Sequence, residues 1–171
     1  MQVTVNADGN GTGDDGLLQR LVGEPCVDVY RFGEMGVIDF GRQVSWPLGD
    51  GGEVSTGTEF AVHAQCPFRI VQNDRIVLGY DDLFRTPPRK GSTAEEDSDR
   101  RAYDAGADAL RGYLQRTSPK VESVRRRPVG DLLIGLQHGI RVEVFPTSPK
   151  REESWRFLIR TAEHVTFPPG R

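Results

Sequence analysis

Two alternating runs meet at a two-residue turn in the last third of the chain: Leu132, Ile134 and Leu136 lie before His138-Gly139, and Ile140, Val142 and Val144 follow it. Successive side chains of a strand point to opposite faces, so each run has one apolar face and one polar face. A slip of one residue would turn every apolar side chain to the wrong side, so the turn fixes the register. This segment must therefore be an amphipathic hairpin with Leu132, Ile134, Leu136, Ile140, Val142 and Val144 as its core face. Val121 to Arg126 ahead of it, and Trp155, Phe157, Ile159 and Val165 to Phe167 after it, extend the pattern to a meander of four or five strands.

The same period appears earlier. Val27 and Val29 oppose Asp28 and Tyr30, and Val37 to Phe40 follow the turn Gly33-Glu34-Met35-Gly36. Phe60, Val62 and Ala64 form another strand. Phe68 to Val71 turns through Gln72-Asn73-Asp74 into Arg75 to Gly79 as a second hairpin. The stretch from Trp46 to Gly57 contains Gly49, Gly51, Gly52 and Gly57, a density that predicts an exposed loop.

Two segments change to helical spacing. Leu17, Leu18, Leu21 and Val22 predict a short helix, with Thr12 and Asp15 as a capping arrangement and Gly23 and Pro25 as its stop. Tyr103, Ala107, Leu110 and Leu114 fall on one face of the main helix, which Pro119 ends. The fold class is α+β: antiparallel hairpins and meanders with one short N-terminal helix and one main central helix. A length of 171 residues suits a single domain that needs no staples. The expected organisation is a flexible lead over 1–13, a domain over 14–171, and a mobile connection at about 85–99, where Pro87-Pro88 and an acidic cluster gather. The segments before and after the main helix share an order of elements but hardly any residue identities, so no repeat is read.

Charge and cysteine content narrow the function classes. The net charge is −3, so the global positive field that captures nucleic acid is missing. All of the 22 basic residues except Lys90, Lys120 and Lys150 are Arg, a bias that GC-rich codon supply produces. Cys26 and Cys66 are too few for a disulfide framework, which predicts a reducing cytoplasm. No apolar run is long enough for a membrane span, and no signal peptide is read at the start.

The segment from His63 to Ile70 is chemically the densest: an imidazole, a thiol at Cys66 and a guanidinium at Arg69 leave one extended piece. His63 and Cys66 have the spacing of two metal ligands, but zinc takes four, and Cys26, His138 and His164 are scattered, so no metal site is read. On a strand an odd separation points the two side chains to opposite faces. The residues therefore favour a buried structural thiol at Cys66 over a nucleophile. Asp39, Asp81, Asp82, Asp131 and Glu143 read as solvated strand-face or turn carboxylates. Arg125, Arg126 and Arg127 form the densest basic run, but they lack interleaved aromatics, so they favour a charged strand edge over a nucleic-acid platform. Gly9 to Gly13 precedes a helix without the lysine of a phosphate loop, and no cofactor motif is present. Trp46 is the aromatic best placed to contact a partner.

The segment from His63 to Ile70, together with Arg141-Val142-Glu143-Val144-Phe145-Pro146 and Ser154-Trp155-Arg156-Phe157, resembles a group of uncharacterised single-domain proteins from high-GC bacteria. The resemblance spans the strand-bearing two thirds of the chain. It implies a shared fold and carries over no activity and no catalytic residue. The expected function is a non-enzymatic, cytoplasmic protein-binding module of the accessory or immunity type. The alternative is a small-molecule binder or enzyme built on His63, Cys66 and Arg69.

Overall fold

The computed structural model describes residues 13–87, 99–149, 152–160, 162 and 164–169. Residues 1–12 of the expected lead and 88–98 of the expected connection lie outside the described residues. The short helix α1 is Asp14–Gln19, with Leu18 and Leu21 buried beneath it and Asp14 and Asp15 in its first turn, where the helix dipole favours acids. Its N-cap is Gly13, which makes no side-chain cap hydrogen bond, and Thr12 of the expected capping arrangement lies outside the described residues.

Five strands follow: β1 Cys26–Phe32, β2 Met35–Leu48, β3 Glu53–Ala64, β4 Phe68–Gln72 and β5 Arg75–Gly79. The main helix α2, Ala102–Thr117, buries Tyr103, Ala107, Leu110 and Leu114, the stripe read from the sequence. Ser118 closes it in the left-handed conformation just before Pro119. Then come β6 Val121–Arg126, β7 Leu132–Leu136, β8 Ile140–Val144, β9 Trp155–Ile159 and β10 Val165–Phe167. Among the described residues no helix is long and apolar enough to cross a membrane.

The expected loop from Trp46 to Gly57 is instead the far half of a hairpin, with β2 running to Leu48 and β3 starting at Glu53. The glycine density misleads because its members do different work. Gly49 and Gly52 take positive φ in the turn, whereas Gly57 sits within β3, where a Cβ would come 3.1 Å from the Trp46 ring.

The expected C-terminal meander is also corrected. It stops after β6, β7 and β8, and the chain then crosses to the other sheet. The first sheet has the order β1-β2-β3-β9-β10 and the second β5-β4-β8-β7-β6, all antiparallel. Each half of the chain thus contributes a helix, a three-strand meander and a hairpin, and each hairpin pairs with the other half's meander. Ala64 pairs with Trp155 just as Val144 pairs with Phe68. The N–H of Gln65 donates to the Ser154 carbonyl and that of Phe145 to the Pro67 carbonyl, both at 2.8 Å. The start of β1 meets the start of β6 in the same reciprocal way: Cys26 N–H donates to Pro119 O and Val121 N–H to Glu24 O, each at 2.9 Å. The architecture is therefore an approximate two-fold repeat. It hides in the sequence because the halves share a polar and apolar period rather than residue identities.

Open sheet edges invite foreign strands, and the two helices cover these. Helix α2 lies against β1 and β5, the edges of opposite sheets, and α1 lies against β6 and β10. Between the sheets one continuous core holds, among others, Phe40, Phe60, Val62, Ile70, Ile134, Val142, Trp155 and Phe157. The Phe60 and Phe157 rings stack at 5.8 Å, and the fully buried Trp155 donates its indole N–H to the Gly130 carbonyl at 2.7 Å.

Candidate functional site

The strand period that fills the core also decides what the first sheet presents on its outer face. Register places Tyr30, Val37, His63, Arg156 and Thr166 in one row across all five strands, and Asp28, Asp39, Ala61 and Leu158 in the next. Val37, Ala61 and Leu158 make an apolar floor that is buried even though it faces away from the core. Longer side chains cover it: Tyr30 and Asp39 on the β1–β2 side, and His63, Arg156, Arg160 and His164 toward β9 and β10.

Asp39 is only 8% exposed, and its Oδ1 has no hydrogen-bond partner. Burial pushes its carboxyl up to about 6, with Asp28 adding to the rise, while Arg160 and the Thr58 and Tyr30 hydroxyls pull the other way. Burial and the Asp39 charge also raise the Tyr30 phenol. His63 moves in the opposite direction, down to about 4, because burial and the Arg160 and Arg156 guanidiniums disfavour its proton more than Glu153 restores it. His164 is lowered by burial and by the same two arginines. Arg156 is held by Glu153 in a two-pronged pair at 2.6 and 3.0 Å. Displaced titration of this kind marks groups that a plain solvated face would not hold.

A projecting arm rises beside this face. Pairing to β1 ends at Phe40 and pairing to β9 ends at Phe60, yet β2 and β3 continue together from Gln43↔Thr58 to Leu48↔Glu53. A bulge between Phe40 and Gln43, with Gly41 at φ +82, marks where the arm leaves the sheet. Its side chains include the half-buried Trp46 and the exposed Leu48 and Val54, at 52% and 64%. Arg160 ties the arm down: its N–H bonds Glu59 O at 3.0 Å, its Nε bonds Thr58 O at 3.2 Å, and its guanidinium lies over the Trp46 ring.

The expected cluster of His63, Cys66 and Arg69 does not converge. His63 faces outward from the first sheet. Cys66 is buried in the core, where burial drives its thiol up to about 12, far from the range of a nucleophile. Arg69 faces outward from the second sheet, paired with Glu143 at 2.5 Å and set over the Phe145 ring at 5.3 Å. The segment spreads because Gln65 to Pro67 is where the chain crosses from one sheet to the other.

The arginine run is likewise split by the strand period. Arg125 is exposed on β6, Arg126 turns back to Asp14 at 3.3 Å and Asp15 at 2.9 Å, and Arg127 meets Asp131 at 3.6 Å. Trp46 is on the arm, half-buried, with its ring beneath the Arg160 guanidinium.

Sequence reasoning missed Tyr30 as a site residue, set His164 aside as a scattered metal-ligand candidate, and read Asp39 as solvated. A signal was present for Asp39: Val37, Ile38 and Phe40 surround it, and a strand apolar on both sides has both faces covered. Among the described residues no three His, Cys, Asp or Glu side chains gather as a metal site. No family model, curated protein or solved structure matches the chain.

Proposed function

We propose that this chain is a protein-binding module that grips its partner with the β2–β3 arm and the adjoining outer face of the first sheet. The observation that carries the reading is the arm: a two-stranded ribbon that, among the described residues, pairs only with itself and holds Leu48 and Val54 in solvent beside Trp46. A lone ribbon is barely stable in water, so extending one away from both neighbouring strands costs stability. Exposed aliphatic groups beside an aromatic supply the desolvated centre from which interfaces draw most of their energy. The rival enzyme reading loses support because His63, Cys66 and Arg69 lie in three separate environments. Both cysteines are free and buried, which suits a binding protein of a reducing cytoplasm, and an accessory or immunity-type role fits a module of this size.

The test compares affinity capture from source-cell lysate by wild type, by the double variant Leu48→Ser with Val54→Ser, and by Arg125→Gln. Both variants should keep the wild-type circular dichroism. The arm variant should lose a protein that wild type and Arg125→Gln retain. Equal capture by all three would remove the arm from the account.

A further inference from the structure

We infer that the β9–β10 side of this outer face is a binding site for a phosphate monoester, formed by Arg160, Arg156, His63 and His164 with the Thr166 hydroxyl beside them. Pairing sets the frame. His63 lies directly opposite Arg156, and Arg156 opposite Thr166, so the three stand abreast on neighbouring strands. Strands repeat about every 4.8 Å, so this row spans roughly 10 Å, wide enough for one tetrahedral anion to meet groups from more than one strand. His164 immediately precedes β10 and is exposed, and Arg160 follows β9.

Two guanidiniums stand on this side, and among the described residues Glu153 is the carboxylate bonded to one of them, both its oxygens engaged by Arg156. Among the described residues Arg160 forms no ion pair with a carboxylate, its contacts being the Thr58 carbonyl and the Trp46 ring. Asp39 acts on Arg160 from β2 but makes no ion pair with it among the described residues, and Asp28, toward β1, is paired with Arg111 at 2.6 Å. A guanidinium fork fits phosphate oxygens two at a time, which a neutral ring face and a single carbonyl leave largely unused.

The two imidazoles point to the same ligand. Burial and the neighbouring Arg160 and Arg156 disfavour the proton on both rings, bringing His63 to about 4 and lowering the more exposed His164 in the same direction. A dianion would reverse that repulsion, so each ring would take up a proton as the anion arrives. Two arginines and two proton-accepting rings match a doubly charged group with three acceptor oxygens better than a carboxylate. The phosphate could belong to a free small molecule or to a phosphorylated side chain of a partner protein; the chemistry at the site is the same. This inference does not depend on the arm as anchor, which the Leu48 and Val54 substitutions test separately.

The experiment titrates inorganic phosphate, a short phosphoserine peptide and acetate into the labelled protein near neutral pH, following the ring C–H signals of His63 and His164. Phosphate and the phosphopeptide should move both signals saturably toward the protonated position, more tightly at lower pH, whereas acetate should not. Arg160→Gln should weaken phosphate about tenfold, the loss of one charge-assisted contact, and the exposed His164→Gln should weaken it several-fold. Arg125→Gln should bind as wild type does. Equal affinity for phosphate and peptide assigns a small phosphorylated molecule, and tighter peptide binding assigns a phosphorylated partner. The inference is overturned if neither ring signal moves saturably, if acetate acts as phosphate does, or if folded Arg160→Gln and His164→Gln bind like wild type.

Discussion

The guanidinium of Arg160 lies 5.3 Å from the centre of the Trp46 ring, so a residue just after β9 clasps an arm that, among the described residues, no other strand pairs with. Cation–π pairs at partly exposed sites contribute about 0.5–1 kcal/mol. A double-mutant cycle with Trp46→Ala and Arg160→Gln should return a coupling energy in that range. Trp46→Ala alone should speed amide exchange along 43–48 while leaving the core strands protected. Uniform acceleration across both sheets would show that Trp46 supports the whole fold rather than the arm.

The outer face of the first sheet should make stability depend on pH in two opposing ways. Asp39 has a raised folded value, about 6 against an ordinary 3.8, so its contribution is present below the unfolded value and is lost as pH rises through 6. His63 has a depressed value, about 4 against 6.5, so its contribution is present above 6.5 and is lost as pH falls through 4. Asp39→Asn should therefore gain urea resistance over wild type at about pH 8 and little at about pH 4. His63→Gln should match wild type at about pH 8 and exceed it at about pH 4. Parallel stability profiles for both variants and wild type would contradict these assignments.

Cys66 is expected to resist iodoacetamide in the native protein and to react, together with Cys26, once the chain is unfolded. Its thiol is buried and pushed up to about 12, so almost no thiolate is present to attack. Cys66→Ala should cost about 1–2 kcal/mol through lost packing and leave partner capture intact. Rapid alkylation of Cys66 in the folded state would reopen the nucleophile reading.

Gly130 holds a position that no other residue can fill cheaply. Its φ is +96, a Cβ there would run into the Phe167 ring, and its carbonyl accepts the Trp155 indole bond. Gly130→Ala should lower stability by about 3 kcal/mol from combined strain and clash. Trp155→Phe, which removes the indole donor, should cost about 1–3 kcal/mol and leave the Gly130 carbonyl unsatisfied. Thermal midpoints near wild type for both variants would show that this junction is not tightly packed.

The parts of the fold that could be read from the chain are those where a period runs uninterrupted. Tyr103, Ala107, Leu110 and Leu114 gave α2, and the alternation on both sides of His138-Gly139 gave β7 and β8 with their core face. The expected two-residue turn, however, is a three-residue one, Gln137–Gly139, which sets Leu136 opposite Ile140 and so keeps the two apolar faces together. Pairing between distant strands left no such mark. Nothing in the alternation of Trp155, Phe157 and Ile159 says that their neighbour is β3 rather than β8, because either edge would accept the same apolar face. The arm was obscured by glycines that serve a turn at 49–52 and a close approach at Gly57. The outer-face site was harder still. His63 was visible as an unusual residue, but Asp39, Arg160 and His164 join it only through register across the exchanged strands.

The most direct test of the account places a photo-crosslinking residue at position 54 on the arm, and in a separate variant at position 125 on the second sheet, followed by irradiation in source-cell lysate. Position 54 should yield a discrete adduct with one protein, suppressed by excess wild type but not by the Leu48→Ser with Val54→Ser variant, and position 125 should yield none. An adduct at 125 with none at 54 would contradict the claim that the arm and the face beside it are where this protein meets its partner.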